Sequence, residues 1–453
     1  MVRVRGKGGI GEALKVMTPL VLAMAANAVN QFVDRLFLAH YSDAAIEGSL
    51  PGGMLGWLFI CFAMSTVAYS GTFVAQYHGA GNPRSAVRSL GQGLYLSLMS
   101  IPFFAALIPL GNWLFSLTGA AQDVIAAEIS YFDVMMAGAV FNVAGAVLGG
   151  YFAGIRRTRI AGLAVLAGNL SNIPLDWLFI FGKGPLPQMG IEGAAVASVI
   201  AQAVTCIILG CALAWDPTVR SAGARRIFRF IPRLSARILK FGFPSGVHVA
   251  LDCFTFTVFV MMTARLDAMS LAVSNIVFAI NHISFAPLCG MGQAAGVMVG
   301  NCQGAADHEG ARRAGWSCVI VAWAYFAFFA VFIFTCGGWL MDLFHAEASS
   351  FDADAFRTLG CELMAILVTW GLFDATDIVL SGALKGAGDT RFVLMTYGSI
   401  GCFAWMPAFI AIMHFSPDIR HLWLTMPAYC GVCALVIVGR WIKGRWMKIK
   451  LVE

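Results

Sequence analysis

The chain has 453 residues, of which 59% are hydrophobic and only 12% charged, half the charge of an ordinary soluble protein. That composition excludes a soluble enzyme, a nucleic-acid binder and a secreted disulfide scaffold. The net charge of +6 therefore reads as a topology signal and not as the mark of an acidic partner.

Stretches without Lys, Arg, Asp or Glu run through Gly48–Pro83, Ser89–Gln122, Gly193–Trp215, Ala268–Ala306, Ala314–Met341 and Phe392–Pro417. Each meets the length of about 20 apolar residues that a helix needs to cross a bilayer core. Twelve helices are predicted near 14–38, 52–78, 89–117, 131–155, 160–182, 191–215, 240–264, 270–303, 314–341, 359–384, 392–415 and 421–441. The start of the chain, basic and then apolar up to Ala23–Ala25, has the outline of a cleaved signal peptide. The internal repeat described below requires helix 1 to stay in the mature protein.

An even number of spans puts both termini on one side of the membrane, and Lys and Arg favour the cytoplasm. With the amino terminus inside, 25 of the 30 basic residues fall in inner segments; only Arg35, Lys183, Arg265, Arg357 and Arg420 fall outside. Both termini are therefore expected in the cytoplasm. Seven of the inner basic residues lie in one loop, from Arg220 to Lys240, between helices 6 and 7. All twelve cysteines lie in or at the ends of predicted spans. Cys430 and Cys433 form a single CxxC deep in an apolar helix, with no second ligand cluster to make it a metal site, so the cysteines read as small packing residues.

Two stretches answer each other at an offset of 225. Gly71, Gln76, Gly79, Ala80 and Ala86–Arg88 stand in GTFVAQYHGAGNPRSAVR, and Gly296, Gly304, Ala305 and Ala311–Arg313 stand in GVMVGNCQGAADHEGARR. The same offset takes Pro19 to Pro244, and an offset of 232 takes Gly154, Thr158 and Arg159 to Gly386, Thr390 and Arg391. Six helices precede the basic loop and six follow it, so both halves run in the same direction. The predicted fold is an all-α polytopic membrane protein of twelve transmembrane helices in two parallel six-helix bundles with pseudo-two-fold symmetry. Residues 1–215 form one bundle, 216–240 a basic cytoplasmic linker and 241–453 the other bundle. Parallel halves with a site between them are a known transporter architecture.

Five carboxylates fall deep inside predicted spans: Asp34, Asp176, Asp252, Asp374 and Asp377. A charge at the bilayer centre costs about 2.5–3.5 kcal/mol on insertion scales, so such residues face a cavity, pair with a cation or bind protons. No Lys or Arg is expected at their depth. Asp34 and Asp176 lie in the outer halves of helices 1 and 5; Asp252 and Asp374 lie near the midplane, so each half holds its own acidic pair. Asn172 stands one turn before Asp176, and Asn27, Asn30 and Gln31 line the approach to Asp34. Oxygen-rich surroundings suit a hard cation such as sodium, whereas a lone buried carboxylate suits a proton. Asp377 reads as a structural hydrogen-bonding group, and His248, one turn before Asp252, as a polar contact that could share its proton.

Taken together, Pro19 with QFVDRLFLAHYSDAAIEG, VAQYHGAGN after helix 2, NLSNIPLDWLFIFG, MGIEGAAVASVIAQ and FDATDIVLSGALKGAGDTR are similar, in order and spacing, to the multidrug and toxic compound extrusion (MATE) transporters over nearly the full length. The resemblance implies two six-helix bundles around a central cavity and export of organic, mostly cationic compounds in exchange for sodium or protons. It places Asp34 at the family's acid in the first helix and Asn172, Asp176 and Ser198 at polar positions of the amino-terminal cation site. Asp374 matches the tenth-helix acid of the NorM-like branch. Asp252 stands where that branch usually has glutamate, and Asp176, in place of asparagine, is closer to the DinF-like pattern. Asp34 and Asp374 are also the expected contacts for a cationic substrate.

The expected mechanism is antiport, in which ion and drug compete directly or through the bundle conformation. The abundant Phe, Met and Trp (35, 21 and 12) could line an adaptable cavity. No cofactor, resident metal or nucleic acid is expected; the partners are small organic cations and the bilayer, and one chain suffices. Three rivals stand beside this reading. A lipid-linked oligosaccharide flippase of the same superfamily would want a cationic cavity, a membrane enzyme would need a HExxH, GxSxG or phosphate-binding motif that the sequence lacks, and a cation channel would use a ring of acids from several subunits.

Overall fold

The computed structural model describes residues 6, 8–41, 43–119, 121–182, 187–263, 265–345 and 351–452. Arg3, Arg5, Lys7 and Lys183, counted above in the charge bias, lie outside them. Twelve helices among the described residues are long and apolar enough to cross a membrane: Ile10–Leu38, Pro51–Gly79, Pro83–Ser116, Gln122–Gly154, Thr158–Phe181, Ile191–Ala214, Pro232–Thr263, Ala268–Gly304, His308–Phe344, Ala353–Ala387, Thr390–Phe415 and Ile419–Lys443. These are helices 1 to 12 below. The chain is an all-helical, multi-pass membrane protein, and no strand occurs among the described residues.

Local chemistry marks the helix ends. Asn82 Oδ1 accepts from the Ser85 N–H (3.1 Å) with Pro83 in the first turn, which starts helix 3. Helix 10 starts where Asp352 accepts from the Ala355 N–H (3.0 Å) and stops at Gly388, whose φ of 101° is open to glycine. Several helices begin earlier than predicted, helices 4 and 7 by the most. Helix 4 starts at Gln122, not near 131, and so carries Asp123, Glu128 and Asp133 within it. Helix 7 starts at Pro232, not near 240, because buried Ser235 and Ile238 alternate with exposed Arg233 and Lys240. The charges there hide a helical period.

The segment before helix 7 is folded as well. Asp216 accepts from the N–H groups of Thr218 (2.8 Å) and Val219 (3.2 Å) and starts a short helix, Pro217–Ala222. Gln92 of helix 3 ties the rest down. Its Oε1 accepts from the Ile231 N–H (2.8 Å) and the Ser235 hydroxyl (3.0 Å), and its Nε2 donates to the Arg229 carbonyl (2.8 Å).

Two compact units divide the chain. An amino-terminal unit takes Thr18–Ala250 with Gly300–Asp307 and Leu451–Glu453; a carboxy-terminal unit takes Leu251–Val299 and His308–Lys450 with Met1–Met17. The boundaries near 17, 250 and 299 cut helices 1, 7 and 8. In the amino-terminal unit, buried Ile60, Phe73, Leu90, Phe104, Phe132 and Tyr151 build a core from helices 2, 3 and 4. In the carboxy-terminal unit, Trp423 is fully buried, stacks on Phe278 at 4.8 Å and meets Phe259 and Trp370 edge-on. Its indole N–H donates to the Ser274 hydroxyl (3.1 Å), as a buried Trp requires.

The repeated glycines do the same work in each unit. Gly154 of helix 4 lies against Gly71 of helix 2, where an added Cβ would sit 3.0 Å from the Gly71 carbonyl oxygen; Gly386 of helix 10 lies closer still against the Gly296 carbonyl of helix 8. Small residues let membrane helices approach backbone to backbone. Within the amino-terminal unit, Gly79 abuts the Asn301 carbonyl and Gly304 abuts the Gln76 carbonyl. These are the same two positions of the repeat, meeting reciprocally.

Each unit also holds one ion pair at matching places, with the charges exchanged. Arg157, just before helix 5, donates to Asp216 Oδ2 (2.6 Å) after helix 6, and Tyr151 donates to Asp216 Oδ1 (3.2 Å). Asp389, just before helix 11, accepts from Arg440 Nε (2.7 Å) near the end of helix 12, and the Arg440 guanidinium lies 4.5 Å from the Phe392 ring centre. The Asp216 side chain is fully buried whereas that of Arg157 is 42% exposed. Arg157→Gln is therefore expected to destabilise by about 1–3 kcal/mol, less than the ~3–5 kcal/mol of a fully buried pair. Thermal unfolding of the purified protein checks this, and adding Asp216→Asn should recover most of the loss.

Candidate functional site

Amino-terminal acids converge as helical periodicity requires. Asn30 and Asp34 are one turn apart on helix 1, and Asn172 and Asp176 one turn apart on helix 5, so each pair shares a face. Pro174 lies between the second pair and removes a backbone donor. Asn30 Nδ2 is 3.5 Å from Asp34 Oδ2 and also contacts the Asn172 amide. With its nitrogen facing the carboxylates, the Asn172 amide donates to Asp34 Oδ1 (3.1 Å) and Asp176 Oδ2 (3.2 Å). Its oxygen then accepts from the Ser198 backbone N–H of helix 6 (3.2 Å). The Asp34 and Asp176 carboxyls are close enough to share a hydrogen bond when one holds a proton.

Burial decides what this cluster can do. Asp176 is 0%, Asn172 1% and Asn30 8% exposed, while Asp34 is half-buried. Asp176 Oδ1 is buried without a hydrogen-bond partner among the described residues. Neither acid forms an ion pair with a described Lys or Arg; Arg35 is exposed on another face of helix 1. Two carboxylates, two amides and one unsatisfied carboxylate oxygen make a site that is complete only with added positive charge. Tyr131 of helix 4 lies within electrostatic reach of both acids.

The carboxy-terminal unit holds the other three acids. Asp252 of helix 7 and Asp374 of helix 10 interact electrostatically and are half-buried, and Asp377 is 2% exposed. The Tyr397 hydroxyl of helix 11 donates to Asp377 Oδ2, and Asp377 Oδ1 has no partner among the described residues. One basic residue comes within electrostatic reach of these acids from the end of helix 10, outside mid-span depth. Lys385, assigned from sequence to an inner loop, belongs to helix 10, is half-buried and lies within Coulombic reach of Asp252 and Asp377. No group of three or more His, Cys, Asp or Glu is gathered as a metal cage among the described residues. His248 is buried at 4% exposure; Cys430 and Cys433 are buried free thiols.

Sequence reasoning passed over several polar groups. Glu128 is 3% exposed in helix 4, and Asp133 lies 3.4 Å from Asn112 Nδ2; Glu128 was missed because helix 4 was started too late, and Asp133 was passed over near the start of the predicted span. Lys385 shares a helical face with Asp374 and Asp377, so counting turns would have found it. Tyr131 and Tyr397 carry no sequence signal, since tertiary packing alone brings them in. Because the Asn172 donor serves both carboxylates, Asn172→Leu is expected to cost about 1–3 kcal/mol. Asp34→Asn should cost less in that background than alone, as coupled neighbours are not additive. Thermal unfolding of the four proteins checks both.

The MatE family profile matches residues 19–178 and 244–410, two stretches that begin at Pro19 and Pro244, the prolines paired by the repeat. A probable multidrug resistance protein NorM of Thermotoga maritima is 26% identical over 452 residues, covering 96% of this chain and 93% of that protein. The multidrug resistance protein NorM of Vibrio vulnificus is 24% identical, covering 86% and 84%. Among solved structures, a MATE protein in its straight conformation superposes with a TM-score of 0.85 at 20% identity, covering 98% and 96%. An outward-facing multidrug resistance MATE family transporter superposes with a TM-score of 0.82 at 20% identity and the same coverage. With that profile matched across most of the chain and the fold shared end to end, the chain belongs to the MatE family.

Proposed function

We propose that this chain is a secondary active multidrug efflux antiporter, a transporter and not an enzyme, exporting organic and mostly cationic compounds in exchange for sodium or protons. The observation that carries the reading is the Asp34–Asn172–Asp176 cluster, two carboxylates with no ion-paired base among the described residues. An incoming sodium ion or proton supplies the missing charge; a lipophilic cation supplies it equally well. Exchange follows if occupancy by one disfavours the other, since coupling is a difference in affinity between states and is worth about 1–3 kcal/mol in typical cases. Asp34, Asn172, Asp176 and Ser198 form the coupling site of the amino-terminal unit. Asp252 and Asp374 form that of the carboxy-terminal unit, with Asp34 and Asp374 also meeting the substrate.

Names of the relatives support drug export, and the apolar spans support placement in a bacterial plasma membrane. The bias of Lys and Arg supports cytoplasmic termini. A two-unit chain with acids in both units can work as a monomer. The expected result is ethidium efflux from proteoliposomes under an imposed sodium or pH gradient, falling about tenfold or more in Asp34→Asn. Loss in Asp374→Asn as well would engage both units; loss with Asp34 alone would confine coupling to the first. Absence of efflux from folded protein under both gradients would overturn antiport and favour a lipid-linked oligosaccharide flippase.

A further inference from the structure

The carboxy-terminal unit differs from the amino-terminal one in a way that bears on coupling. At 100° per residue, Asp374, Asp377, Ser381 and Lys385 fall within ~80° of the circumference of helix 10. Side chains on a helix lean toward its amino terminus, so this geometry directs the lysine stem to the side of Ser381 and Asp377, the latter about 12 Å further along the axis. The Ser381 hydroxyl is occupied by the Ile378 carbonyl of its own helix (3.1 Å). Lys385 is half-buried in an apolar unit, and the titratable groups within its electrostatic reach include Asp252, Asp377 and Cys289. Tyr397 already serves one oxygen of Asp377 and leaves the other bare. An ammonium has three donors on a flexible four-carbon stem, so it can move between nearby carboxylates without moving the helix.

We propose that Lys385 is the tethered cation of the carboxy-terminal acid cluster. In the ion-free state its ammonium balances Asp252 and Asp377, and a coupling ion or cationic substrate must displace it to bind there. In the amino-terminal cluster the base within electrostatic reach of Asp34 is Arg35, which is exposed on another face of helix 1 and is not held among the acids. External cations therefore fill Asp34 and Asp176 first, and the carboxy-terminal acids bind them more weakly. The proposal rests on the antiport reading for its consequence, although the pairing itself does not. A plain structural role exists for comparison: a lysine in the last turn of helix 10 also faces that helix's carbonyl end.

The test is a set of variants of the full chain, purified in detergent and unfolded thermally at pH 8 in choline chloride. Lys385→Met keeps the stem and removes the charge, and should lower the Tm by about 4 °C or more. Adding Asp252→Asn or Asp377→Asn should restore roughly half of that loss or more, since the removed carboxylate no longer needs a partner. Sodium in place of choline, or pH 5.5 in place of pH 8, should stabilise Lys385→Met more than the wild type. If Lys385→Met does not fold, recovery of folded protein in the double variants is the supporting result. Additive losses, no recovery, or an equal response of both proteins to sodium and protons would overturn the proposal and leave the helix-end role. Efflux separates the two claims: an inactive wild type sinks the antiport reading, while the variant cycle still reports on the ion pair.

Discussion

An apolar slab about 30 Å thick cannot hold a charge that is neither paired nor neutralised, and that constraint orders the whole molecule. Where the structure needs a permanent charge it supplies the opposite one within hydrogen-bond distance, as Arg157 does for Asp216 and Arg440 for Asp389. Where the charge is left incomplete, as between Asp34 and Asp176, the gap is held open by ordered amides that cannot neutralise it. Asn172 donates to both carboxylates but carries no charge, so it fixes their geometry while leaving their need for a cation intact. A transport site has to be unfinished in this sense, because a site satisfied by the protein alone has nothing to gain from its cargo.

The two units show how one helical plan tolerates different chemistry. The crossing points have been kept: Gly71 with Gly154 and Gly296 with Gly386 let the corresponding helices approach backbone to backbone. A helix crossing made without side chains has no substitute that preserves its spacing. The ion pairs beside helices 5 and 11 keep their place but exchange their charges, since attraction between opposite charges does not depend on which strand of the fold carries which sign. The acid clusters have drifted further. One is built with asparagines, whereas the other has a tyrosine on Asp377 and a lysine within its electrostatic reach.

Sequence reading reached far for helix positions and for the acids, and failed where three-dimensional packing adds partners. Twelve spans were legible because a bilayer demands long apolar helices. The starts of helices 4 and 7 were not, since Asp123, Glu128, Arg233 and Arg237 look like loop charges until the buried positions beside them are seen. The segment 216–240 read as an open linker for the same reason. Its order comes from Gln92, a residue some 140 positions away, whose amide pins three of its groups.

What the sequence determined by itself is everything that follows from local periodicity and from the price of charge in lipid. Those are the twelve helices, the repeat at offsets of 225 and 232, and the candidacy of Asp34, Asp176, Asp252 and Asp374. Only the tertiary structure decided which groups share a site. It placed Asn172 between Asp34 and Asp176, set Tyr397 on Asp377, and brought Lys385 within reach of the carboxylates beside it. The physical reason is that hydrophobicity acts residue by residue and can be counted along a chain. Compensation of a buried charge is a property of pairs, and partners on different helices become visible only when the helices are packed.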